Sequence, residues 1–119
     1  DPPWGWAGRF VIVTAWNPGR SLGAEENRTR QAALAKELHM ADRRTWELRG
    51  CSPDLSYNED SIAVWGLDAA GGRELGSRWG QNAVYLVEDG ELSVASCHVG
   101  KVVGLGDFRE RLRRPVGGA

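Results

Sequence analysis

Apolar positions along this chain follow two periods, and the switches between them mark its elements. Residues 9–16 hold a nearly unbroken β-prone run, Phe10-Val11-Ile12-Val13-Thr14-Ala15, which predicts a central strand covered on both faces. Asn17-Pro18-Gly19 ends it, because proline removes a donor and glycine admits a left-handed turn. Residues 24–40 then read as a helix. Its residues are good helix formers, and Glu25 and Glu26 sit in the first turn, where the helix dipole favours negative charge. Leu34 and Leu38 mark its core stripe. At about 100° per residue Asn27 and Gln31 fall on the same stripe, and Arg30 lies to one side.

Residues 44–49 alternate, with Trp46 and Leu48 on one side, as in an edge strand. A polar loop with Pro53 spans 50–58, and 61–66 (Ile62-Ala63-Val64-Trp65) is again apolar on both faces. Asp68 is a plausible N-cap for a second helix at 69–79, which Gly71, Gly72 and Gly76 weaken. A strand at 83–87 leads through Asp89-Gly90, a strong hairpin signal, into another at 92–97. Leu105, Phe108 and Leu112 follow at helical spacing and predict a short helix in the tail.

The order β-α-β-β-α-β plus a hairpin strand predicts an α+β domain with a ferredoxin-like sheet. Its strands lie in the order fourth, first, third, second, and the fifth extends the sheet beyond the fourth. The organisation read from this is an irregular arm at 1–8, one domain at 9–98 and a tail at 99–119. Two helices cover one sheet face only. The other needs the tail, the Trp4/Trp6 arm or a second copy of the chain, and a homodimer through that face is one expectation.

Strand directions gather polar residues on one rim. Strand one ends there at Asn17 and helix one starts there, with Asn27 and Arg30. Strands three and four begin there, with Glu59 and with Gln81 and Asn82. The rim reads as a ligand-binding pocket. Asn17, Asn27, Gln81 and Asn82 would supply amide donors and acceptors, Arg30 would grip a carboxylate or phosphate, and Glu59 would be the catalytic acid or base. A purely structural reading stands beside it. Asn17 would cap its turn, Arg30 and Glu59 would form a plain ion pair, and the amides would satisfy loop backbone.

Composition narrows the classes. The 119 residues make one ordinary domain, with a net charge of −1 that gives no global case for nucleic acid or an anionic membrane. No apolar run approaches the ~20 residues that span a bilayer. Six tryptophans supply core area, Trp16, Trp46, Trp65 and Trp79 before Trp4 and Trp6. Cys51 and Cys97 match no metal or redox spacing, so no metal and no cofactor is expected. The topology puts them at opposite sheet edges, about 19 Å apart, which predicts free thiols and a cytoplasmic, reducing compartment. Cys97 and His98 are neighbours in a strand and face opposite ways, a poor nucleophile–base pair.

Thr14-Ala15-Trp16-Asn17-Pro18, Glu26-Asn27 with Arg30 and Leu34, Glu59 with Ser61, and Gly80-Gln81-Asn82-Ala83 together resemble a bacterial family of domains of unknown function, number 3293. The likeness spans roughly residues 9–97. It implies no activity, only that the polar rim and the family's signature coincide. Three functions stay open: a domain that binds a small polar or anionic ligand or a partner's peptide at the rim; a small hydrolase or transferase using Glu59; and a protein- or RNA-interaction module working through the sheet face or the basic tail.

Overall fold

The computed structural model describes residues 1–51 and 57–113. Pro53 of the expected loop, and Arg114 and Pro115 of the tail, lie outside the described residues. The order is β1 (Arg9–Val13), α1 (Ala24–Met40), β2 (Thr45–Cys51), β3 (Asn58–Trp65), α2 (Ala69–Arg78), β4 (Ala83–Glu88), β5 (Glu91–Ser96), β6 (Val102–Asp107) and α3 (Phe108–Arg111). The strands form one antiparallel sheet in the order β2-β3-β1-β4-β5-β6. The fold class is α+β.

Alternation along β1 divides the core in two. Val11 and Val13 point to the helices, where Leu34 and Leu38 of α1 and Leu75 of α2 meet Ile62, Val64 and Val84. Gly72 and Gly76, which weaken α2 as a helix, let it lie close to the sheet. A Cβ at Gly76 would run into Val84 Cγ1. Asp68 caps α2, accepting from Gly71 N at 2.7 Å.

Phe10 points the other way, into a second cluster with Ala63, Val87, Leu92, Trp6 and Phe108. Fully burying a side chain such as Phe10 or Leu34 contributes about 2 kcal/mol. Trp6 packs tilted against Phe10 at 5.7 Å and Phe108 at 5.3 Å, and Trp4 meets Trp65 edge-on at 5.2 Å. Arm and tail thus cover the lower half of the face that lacks helices. This overturns the expected ranking for Trp6, while Trp4 is half-buried like the other four. Trp6 is buried, at 6% exposure, while Trp16, Trp46, Trp65 and Trp79 are half-buried.

The tail also departs from expectation. Residues 102–107 form a sixth strand on β5, so the sheet has one strand more than the five of the expected ferredoxin-like arrangement, and β5 is not an edge. The helical spacing of Leu105, Phe108 and Leu112 has another cause. Leu105 leaves a strand with a register shift, Phe108 opens a one-turn helix capped by Asp107, and Leu112 follows that helix. All three reach the second cluster from different elements.

Candidate functional site

The upper rim is built around the chain leaving β1. Thr14 Oγ1 donates to Asp60 O at 2.7 Å, tying the end of β1 to the start of β3. Ala15 N donates to Gln31 Oε1 at 3.0 Å. Asn17 then turns the chain in the left-handed region, at φ 46, which asparagine tolerates better than most residues.

Asn27, 2% exposed on the core stripe of α1, holds that turn. Its Oδ1 accepts from Asn17 N at 2.9 Å, and its Nδ2 donates to Asn17 Oδ1 at 2.9 Å and Leu22 O at 3.3 Å. Asn17 Oδ1 also accepts from Leu22 N at 2.9 Å. Buried amides need such partners, and this pair supplies them reciprocally. Gly80 closes the turn from the other side. Its φ is +75, and a Cβ there would lie 2.5 Å from Pro18 Cβ.

Arg30 and Gln81 complete the inner rim. Arg30 Nε donates to Ala15 O at 2.7 Å and Nη2 to Trp79 O at 2.6 Å, and the guanidinium lies 5.6 Å from the Trp79 ring centroid. Gln81 Nε2 donates to Trp16 O at 3.0 Å and Trp79 O at 3.3 Å. These bonds fix the backbone of residues 15–17 against α1 and the end of α2.

The outer rim behaves differently. Asn17 Nδ2 donates to Tyr57 Oη at 3.0 Å, and Tyr57 Oη donates to Glu59 Oε2 at 2.7 Å. A chain of hydrogen bonds thus runs from buried Asn27 through Asn17 and Tyr57 to a half-buried carboxylate. The Glu59 carboxylate pushes the Tyr57 phenol pKa above its usual value of 10.0; burial adds to the rise and Asn17 opposes it.

The expected residues therefore divide. Asn17, Asn27, Arg30 and Gln81 converge on one stretch of backbone, and Glu59 joins through Tyr57. The Arg30–Glu59 ion pair of the structural reading does not form. Arg30 is on the helix side, bonded to carbonyls, whereas Glu59 shares the β3 face of Ala63 and Trp65. Asn82 stands apart, its Oδ1 3.0 Å from His98 Nε2 across the β4–β5 pair. Tyr57, assigned from sequence to a polar loop, is the residue that reasoning missed. Its signal was its place two positions before Glu59 at the entry to a strand, which puts both on one face.

Other candidates carry less. Cys51 and Cys97 are free, and burial pushes the Cys97 thiol pKa up, against the opposing charge of Arg73. No group of three or more potential metal ligands occurs among the described residues. A cleft of about 290 Å³ lies at the opposite end of the sheet, between the arm and the β4–β5 turn, lined by Trp6, Gly8, Asp89, Gly90, Asp107 and Arg109. Asp107 there already caps α3. No described helix is long and apolar enough to cross a membrane.

Fold and rim define a small α+β sheet domain with a hydrogen-bonded amide cluster at one end. The chain belongs to the family described as Protein of unknown function (DUF3293), whose model matches residues 13–84. That span takes in Asn17, Asn27, Arg30, Tyr57, Glu59 and Gln81. No curated protein matches the sequence. Among solved structures the chain is similar to a phage SAM lyase in complex with S-methyl-5'-thioadenosine, with 16% identity, 86% of this chain and 92% of that one covered, and a TM-score of 0.37. The apo lyase gives 17% identity, 91% and 96% coverage and a TM-score of 0.38. Scores this low carry no property of the lyase to this chain.

Proposed function

We propose that this chain is a binding domain on a ferredoxin-like frame, holding a small polar ligand, or a polar group of a partner's peptide, at the upper rim. Supporting the frame, α1 links β1 to β2, α2 links β3 to β4, and the core residues of both helices pack on one sheet face. The observation that carries the function is the bonded series Asn27–Asn17–Tyr57–Glu59. It fixes the orientation of a solvent-accessible carboxylate from a fully buried amide. Binding groups held by a second layer of hydrogen bonds lose less entropy when they engage a ligand. Free thiols on both cysteines favour a reducing, cytoplasmic setting.

The test is a thermal-shift screen of small polar metabolites against wild type, Glu59→Gln and Tyr57→Phe. A rim ligand raises the melting temperature of wild type and does so less in both variants. A ligand that stabilises all three equally binds elsewhere and contradicts the proposal.

A further inference from the structure

Resting on that reading of the rim, we infer that its ligand presents a cationic donor, an ammonium or guanidinium group, to Glu59. The sequence alone favours an anion, because Arg30 sits at the rim. The hydrogen bonds reverse the sign. Arg30 already donates Nε and Nη2 to the Ala15 and Trp79 carbonyls and lies against Trp79 on the helix side. Both donated bonds of Asn27 Nδ2 end on Asn17 and Leu22, and both of Gln81 Nε2 end on backbone carbonyls. These donors are spent on the fold, and Gln31 Nε2 and the indole nitrogens of Trp16 and Trp79 are buried away from solvent.

Acceptors are what it keeps. Tyr57 occupies Glu59 Oε2, and Oε1 accepts no hydrogen bond among the described residues. Gln81 stays with the fold, its Nε2 anchored to the Trp16 and Trp79 carbonyls on the helix side. Among the described residues Glu59 also has no cationic partner. Arg49, on the adjoining strand, instead approaches Asp60 at 3.5 Å. A carboxylate with its direction fixed, and with one oxygen open and no cation beside it among the described residues, is matched by a multi-donor cation. Ammonium offers three donors and guanidinium five.

Agmatine, which carries both cations, and glutarate, a dianion of comparable length, are the probes. Each is titrated at matched ionic strength while the backbone amide resonances of Asn17, Tyr57, Glu59 and Gln81 are followed by NMR. Agmatine is expected to shift these amides saturably, and Glu59→Gln, which retains an acceptor for Tyr57, is expected to weaken it about tenfold. Agmatine binding equally well to Glu59→Gln overturns the inference. Glutarate saturating the same amides in place of agmatine also overturns it, but leaves the rim as a binding site. If neither probe shifts these amides, the cationic assignment is wrong, and a failed metabolite screen would remove the rim reading separately.

Discussion

Arg30 and Glu59 stand on the same rim with opposite charges and are used in opposite ways. Arg30 is half-buried and bonded to two backbone carbonyls at 2.7 and 2.6 Å, so its polarity serves the fold. Glu59 is half-buried too, but among the described residues its side chain bonds only Tyr57, itself an exposed residue. Around Arg30, Asn27 and Gln81 repeat the inward pattern. The inner rim behaves as core made of polar atoms, and the outer rim as a surface held in place by it.

Stability measurements by urea denaturation can break that division. The largest loss is expected for Asn27→Leu, which removes a buried amide with three partners and leaves Asn17 N without its acceptor. It should cost about 3 kcal/mol. Arg30→Met, which keeps the apolar stem and abandons two carbonyls, should cost about 2 kcal/mol. Gly80→Ala adds a Cβ against Pro18 at positive φ and should cost about 1–2 kcal/mol. A smaller loss for Asn27→Leu than for any outer-rim variant would erase the distinction between the two halves.

The smallest effect concerns pH. The folded-state phenol pKa of Tyr57 lies above the unfolded value, so the neutral form is favoured in the native state. Its contribution is fully present below pH 10 and fades as pH rises through the folded pKa. Tyr57→Phe should therefore be slightly less stable than wild type near neutrality, and the gap should close as pH rises above 10, where the wild-type limb falls more steeply. An identical alkaline limb in the two proteins would mean that the Tyr57–Glu59 bond does not persist in solution.

Much of this frame was legible because it depends on local periodicity. The bounds of α1 match the run of helix formers, and the two-sided runs at Phe10–Val13 and Ile62–Val64 occupy interior strands of the sheet. The burial of Trp6 was not legible. An arm without regular structure has no period of two or 3.6 to reveal which side chain turns inward. The sixth strand was hidden by Gly104 and Gly106, which suit strands poorly, and by apolar spacings that mimic a helix. At the rim, topology alone gathered Asn17, Asn27, Arg30 and Gln81. What each side chain bonds to depends on tertiary distances of a few tenths of an ångström, which no spacing encodes. Arg30 therefore looked like an anion clamp and proved to be a backbone clamp.

The denaturation free energy of Glu59→Gln against wild type tests the central claim most directly. If Glu59 is an outer-rim group unconnected to Arg30, the variant should unfold within about 0.5 kcal/mol of wild type. A loss of about 3–5 kcal/mol, the signature of a broken buried ion pair, would contradict the account and return Glu59 to the scaffold.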